Sequence, residues 1–460
     1  MKRWLVLSLI ALALLLLLSP GIIGRLAERG IDESLSQVSA ERDDIDIAEE
    51  SFERGWFSSE GRHRVALRYG SLRELLDASY AASAPENEPA LVIDTRLDHG
   101  LIPVSSMQRE GGSLNPALAN AVSTLNVDPG DGSLRPLPGQ LYSFFGVGGD
   151  TSFRYLADAG EERVAEATMQ WANVDLSYAL SGNGLAESIT ADVAALSAET
   201  PEVTAEIEAL TLDWSYEDRP DTLGDGTLDV QLRNLTVAPG DGNERVRPAT
   251  SQTGIERLEI SGESNVDDGE LSAEGRFDLK VTDAAFFGDT SLAFNLKAQG
   301  FDAAALDALL RAYRDMSAAV TADPNPGFPG NDPLSLYMDP NLQGLLQTVV
   351  TSGGRLDIAD AVFSIDPGAA TLDLSVEIDA TDDGNFSWPT VLLNSRGTIE
   401  ATVAESLYDA LVELNPQARG ALASGMLIKD GDQFVMDVEF DKGRLLINGA
   451  PMSLPIGLPR

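Results

Sequence analysis

The sequence predicts an α+β, mainly β fold: an N-terminal transmembrane helix followed by an elongated antiparallel β meander with a few packed helices. Three observations predict it. An apolar run opens the chain. Period-2 alternation of apolar and polar residues then returns at roughly ten-residue spacing. Turn clusters such as Asp225-Gly226, Pro239-Gly240-Asp241-Gly242 and Asp267-Asp268-Gly269 separate the alternating runs. Short strands divided by turns argue antiparallel neighbours rather than βαβ units.

The first element is the run from Trp4 to Ile23, preceded by Lys2 and Arg3. Twenty helical residues span about 30 Å, the thickness of a bilayer's hydrocarbon core. A cleavable signal peptide competes with this reading. Its only candidate cleavage site is Ser19-Pro20-Gly21, where the proline is a poor match, and the run resumes at Ile22 and Ile23. The balance favours an uncleaved anchor, residues 1–24. Lys2 and Arg3 place the amino terminus in the cytoplasm and the body beyond it, so in a bacterium the body is expected in the periplasm.

Residues 25–42 have helical spacing and read as a stalk. Ile45 and Ile47, then Val65, Leu67 and Tyr69, alternate with polar residues around Arg54-Gly55, which predicts a hairpin. Residues 83–90 and 105–140, rich in Ser, Pro, Gly and Asn, read as loops. Strands then recur through Leu210/Leu212/Trp214/Tyr216, Leu228/Val230/Leu232, Phe277/Leu279/Val281 and Leu292/Phe294/Leu296. One face of each is apolar and the other polar, so the sheet has a dry face and a wet one. Asp302 caps a predicted helix with Leu306, Leu309, Leu310 and Tyr313 on one stripe. Further helices are expected near 334–350 and 403–414, and further strands at 355–365, 370–380 and 434–448. The expected division is an N-terminal β-rich lobe, 25–300, and a C-terminal α+β lobe, 301–460. At about 4.8 Å per strand, some twenty strands in a row would extend roughly 100 Å.

Composition narrows the function. The 460 residues carry 32 Lys plus Arg against 73 Asp plus Glu, a formal net charge of −41. Such a surface repels phosphate backbones, so nucleic acid is not an expected partner. Cysteine is absent and histidine occurs twice, which excludes thiol catalysis, disulfides, Cys-ligated metals and a His-rich metal site within one chain. Only five of the basic residues are lysines, as expected either of a protein facing high salt or of an arginine-rich genome bias.

Three stretches carry a resemblance. They are Glu53-Arg54-Gly55-Trp56-Phe57-Ser58-Ser59-Glu60-Gly61-Arg62, then Leu97-Asp98-His99-Gly100-Leu101-Ile102-Pro103, and the carboxyl end from Lys442 through Asn448-Gly449 to Met452. With the anchor, they resemble the YdgA-like family of uncharacterised bacterial envelope proteins, over nearly the whole chain. Leu101 stands where that family usually has Pro. The resemblance implies an inner-membrane anchor at residues 4–23 and a periplasmic body, and supplies no catalytic residues. The carboxyl end is also similar, more distantly, to AsmA-like envelope proteins, whose curved sheets carry an apolar groove linked to lipid handling.

Each motif has a structural alternative. Gly55 supplies turn geometry, and if Trp56 and Phe57 lie on a strand they point to opposite faces, one inside and one out. His99 beside Asp98 could be a base with its orienting acid. Consecutive residues of extended chain face opposite ways, however, and no G-x-S-x-G is present, so a turn histidine bonding backbone groups is preferred. His63 reads as solvent-facing. Asp379, Asp382, Asp383, Gly384 and Asn385 resemble a calcium loop, but position twelve is Thr390 where a Glu is required. No phosphate-binding or zinc-protease motif occurs. The expectation is a non-enzymatic envelope protein with no cofactor or metal, binding a lipid, an acyl chain or an envelope partner in an apolar groove. A scaffold for inner-membrane partners is the alternative, and a carboxylate-dependent hydrolase the weakest.

Overall fold

The computed structural model describes residues 45–452, apart from 68–88, 100–116, 240–252, 323–339, 382–390 and a few shorter stretches at turns. The predicted N-terminal span lies in residues 1–44, outside the described residues. Among the described residues no helix is long and apolar enough to cross a membrane. The fold is mainly β, antiparallel, with few helices. The chain forms two compact units, residues 1–213 with 239–247, and 214–238 with 248–460.

The first unit opens with the expected hairpin, β1 (Ile45–Arg54) and β2 (Ser58–Leu67). Next come β3 (Ala90–His99), β4 (Ala117–Asp128), the short β5 (Arg135–Pro136), β6 (Gln140–Gly146) and β7 (Thr151–Ala157). The rest are β8 (Gly160–Val164), β9 (Ala167–Trp171), β10 (Val174–Leu180), β11 (Ala186–Val193), β12 (Leu196–Glu199) and β13 (Val203–Arg219), whose residues from Trp214 on belong to the second unit. Pairing runs β1-β2-β3-β4-β6-β7-β10-β11, all antiparallel. Strands β7–β8, β9–β10 and β11–β12 break at one level: Val174 pairs with Ala157 and Val193, and Trp171 with Gly160 and Leu196.

β4 corrects the sequence reading, which left 105–140 as loop. Its residues Ala117, Ala119 and Ala121 are buried at 5% exposure or less. Alanine is a poor strand former alone, and here packing between β3 and β6 overrides that preference. With Leu97 and Phe145 these alanines make the unit's core. His63 is a second correction. It is buried on the apolar face, and Gly61 on the same strand leaves room beside its ring and Phe52.

The second unit is a plainer meander. It comprises β14 (Thr222–Pro239), β15 (Thr253–Asp267), β16 (Glu270–Ala284) and β17 (Gly288–Asp302), then α1 (Ala303–Ala322) and α2 (Pro340–Thr351). β18 (Gly354–Ile365), β19 (Gly368–Ile378) and β20 (Ser395–Ala404) precede α3 (Glu405–Leu414) and α4 (Arg419–Ala423). β21 (Ile428–Asp430), β22 (Gln433–Asp441), β23 (Arg444–Ile447) and β24 (Ala450–Met452) close it. Each strand from β14 to β20 pairs with the next, and β20 pairs with β22. As predicted, Asp302 caps α1, its Oδ1 accepting from the Ala305 amide at 2.7 Å. α1 begins on Val266 and Leu271, while Tyr408 and Val412 of α3 pack on Phe434.

Candidate functional site

Cross-strand partners share a sheet face, so the register sorts the second unit's side chains. Val230, Ile260 and Phe277 line up with Phe294, and Leu232 and Leu258 with Leu279 and Leu292. Leu296 and Ile358 continue to Leu374, Ile399, Val438 and Ile447. The apolar side chains of β14 to β23 thus form one continuous face. The other face holds charged rows, including Glu259–Asp278 and Glu274–Lys297–Asp357.

The apolar face is only partly covered. Its ends are buried under α1 and α3, at Leu271, Ile365 and Phe434. Between those ends the side chains stay half-exposed, and Leu296 and Phe363 keep 39% and 37% of their surface. The rings of Phe277 and Phe294 stack at 5.2 Å. Gly226, Gly262 and Gly275 all lie on this face, Gly262 opposite Gly275 and Gly226 opposite Ser264. A β-carbon there would lie 3.1–3.2 Å from the carbonyl oxygen of a neighbouring strand, and one on Gly397 would lie 2.5 Å from Ser375 O. A β-carbon there would crowd the neighbouring strand, and without one the main chain is left bare on this face. These glycines were visible in the sequence; their common face was not, because it depends on register.

The polar face is laced with ion pairs. The Asp357 carboxyl is held below the ordinary carboxylate range, first by its bond from Arg355. Asp379 is lowered likewise by Lys442, at 2.8 Å, and by Arg396. Asp379 is thus engaged by two bases; the rest of the acidic loop, 382–385, lies outside the described residues. In the first unit, the bidentate Arg154–Asp175 pair lowers Asp175.

The motif residues gather at two places. At the first, the Gly55 amide donates to Ser58 O at 2.8 Å and closes the β1–β2 turn after Arg54. Trp56 and Phe57 both stand in this turn, 53% and 54% exposed, so neither enters the core. The opposite-faces expectation fails because neither residue belongs to a strand. Behind the tip, the His99 amide donates to Phe57 O at 3.0 Å, and Ser59 Oγ meets His99 Nε2 at 3.1 Å. Ser59, Leu97, Asp98 and His99 are each 1% exposed. His99 therefore ends a strand with a side-chain partner, instead of sitting in a turn. Asp98 points to the other face of β3, with the Arg96 Nε 3.8 Å away, so Ser59, His99 and Asp98 do not make a triad. This buried contact fastens the start of β2 to the end of β3 behind the hairpin tip. Gly100 and Pro103 lie outside the described residues.

At the second place, Asn448 (φ 50°) and Gly449 (φ 73°) form the tight turn between β23 and β24. Both central residues take positive φ, as a type I′ turn requires, and asparagine and glycine tolerate it best. Asn448 Oδ1 accepts from the Asp437 amide at 2.9 Å, and Nδ2 donates to Gly425 O at 2.9 Å and Met426 O at 3.2 Å. The residue ties the last hairpin to the segment after α4.

Among the described residues no group of three or more His, Asp or Glu side chains could hold a metal ion. No curated protein and no solved structure matches the chain. A family model described as "Bacterial protein of unknown function (DUF945)" matches residues 1–455. The chain, from its apolar amino-terminal run to the Asn448-Gly449 hairpin, belongs to that bacterial family.

Proposed function

We propose that this protein is a non-enzymatic, membrane-anchored envelope protein whose second unit carries acyl chains on its apolar sheet face. The observation that carries the reading is the apolar register from β14 to β23, half-exposed and bare of side chains at Gly226, Gly262 and Gly275. Exposed apolar patches beyond a few hundred Å² mark interaction sites.

The occupant follows from what the face offers. Strands β15 to β20 are hydrogen-bonded on both sides, so an extended peptide lying there would bury its own polar backbone unpaired. An acyl chain carries no such groups. A second copy brings another −41 charges against the first. Residues 4–23 supply the anchor in this reading and the periplasm the compartment. The YdgA-like and AsmA-like resemblances support the same reading.

Binding of cis-parinaric acid, which fluoresces on leaving water, tests it. Saturable fluorescence is expected with the full chain, and a loss of about tenfold in affinity when Ile260 and Leu296 both become Glu. Unchanged binding by that variant, or none by the native chain, removes the acyl-chain reading. Capture of a polypeptide by the same face would turn the account to a scaffold.

A further inference from the structure

We propose that one end of the first unit's sheet is a bilayer-docking edge, built from three turn tips rich in glycine and apolar residues. The register places them together. β1 ends and β2 begins at residues 54–58, β6 passes to β7 at 146–151, and β10 to β11 at 180–186. β2 pairs through β3 and β4 to β6, so these turns leave the same end of the sheet. Residues 100–116, joining β3 to β4 at that end, lie outside the described residues.

The tips read Gly55-Trp56-Phe57-Ser58, Gly146-Val147-Gly148-Gly149-Asp150 and Ser181-Gly182-Asn183-Gly184-Leu185, with Asp150 their one charged residue. In a chain of net charge −41 this is a local departure. Several turns of the second unit are charged: Asp267-Asp268-Gly269-Glu270, Asp430-Gly431-Asp432 and Asp441-Lys442-Gly443. Trp56, Phe57 and Val147 expose 53%, 54% and 52% of their surface. Asp150 is exposed, with its carboxylate in the space that β-carbons on Gly146 and Gly148 would need. Glu53, Arg54, Glu60 and Glu187 stand next behind the tips.

A planar interface suits this arrangement. Trp and Phe settle where headgroups meet hydrocarbon, and a flat layer engages several tips at one level. The buried Ser59–His99 fastener holds the aromatic tip rigid, so little order is lost on contact. The geometry rests on the anchor proposed above. The 21 residues from 24 to 44 reach up to ~70 Å when extended, and β1 is ~33 Å long. A chain fixed at residue 23 can therefore return its 55–57 tip to the bilayer. Tethering raises the effective concentration, so a weak contact suffices.

The chain has no cysteine, so single-cysteine variants of the full chain label cleanly. F57C and V147C, with I428C as an exposed control on the second unit, take an environment-sensitive fluorophore. Each is mixed with phosphatidylcholine vesicles whose acyl chains carry bromine. The expected result is loss of about half the emission at 57 and 147, shielding there from aqueous iodide, and neither at 428. Emission at 57 and 147 that matches 428 overturns the proposal. Shielding that grows with protein concentration without bromine quenching also overturns it, in favour of contact between copies. Flotation with the vesicles scores the anchor separately: a chain that floats unquenched loses only the docking edge, and one that does neither loses both.

Discussion

Replacing Asn448 with Ala is expected to loosen the carboxyl-terminal hairpin by about 2–3 kcal/mol. The side chain holds three hydrogen bonds, to the Asp437 amide and to the carbonyls of Gly425 and Met426. They are partly exposed, so each contributes about 0.5 kcal/mol, the low end for a protein hydrogen bond. The backbone sits at φ 50°, where alanine costs about 1 kcal/mol more than asparagine. Asn448→Gly restores the backbone tolerance but not the bonds, and should lose about 1–2 kcal/mol. The chain has two units, so a single melting temperature would mix them. Hydrogen exchange resolves the site instead: peptides covering 425–428 and 444–452 should exchange faster in the order native, Gly, Ala. If Ala leaves exchange unchanged, or if Gly proves as damaging as Ala, the reasoning about the turn is wrong.

Other perturbations separate fastening from function. Ser59→Ala removes the hydroxyl facing His99 Nε2 in a site 1% exposed and should cost about 1–3 kcal/mol, read by urea unfolding of the first unit. Leu296→Glu alone should change stability by less than about 1 kcal/mol, because Leu296 is already 39% exposed, while weakening acyl binding; circular dichroism melts beside the fluorescence titration test both. Asp175, Asp357 and Asp379 are each lowered by basic partners. A depressed carboxyl contributes stability above its unfolded value, near 4, and that contribution is lost as pH falls through the folded value. Acid titration should therefore show little change from neutrality to about pH 5 and a decline below about 4, shallower in Arg154→Ala. Added sodium chloride should raise the melting temperature by screening the net −41; a fall would contradict self-repulsion as the dominant surface term.

The second unit's strands were legible because their apolar residues alternate without a break, as in Leu292/Phe294/Leu296, and because their turns carry Asp-Gly or Asn-Gly. The Asp302 cap and the Asn448-Gly449 hairpin were readable for the same local reason. β4 was not, since its buried face is alanine and serine, which show no alternation of hydrophobicity. The burial of His63 and the meeting of Ser59 with His99 depend on β2 lying beside β3, a pairing forty residues apart that no local signal encodes. Trp56 and Phe57 were misplaced for a smaller reason: the turn takes residues 55–57, running two residues past the expected Arg54-Gly55. That Gly226, Gly262 and Gly275 share one face, with Gly262 opposite Gly275, required the register of three strands.

Mapping photo-adducts of a diazirine-bearing palmitate on the full chain tests the acyl-chain account most directly. Adducts are expected on Ile260, Phe277, Phe294 and Leu296, and not on Arg276, Asp278 or Lys297, which occupy the opposite face of the same strands. Labelling spread equally over both faces, or absent from the apolar rows, would contradict it.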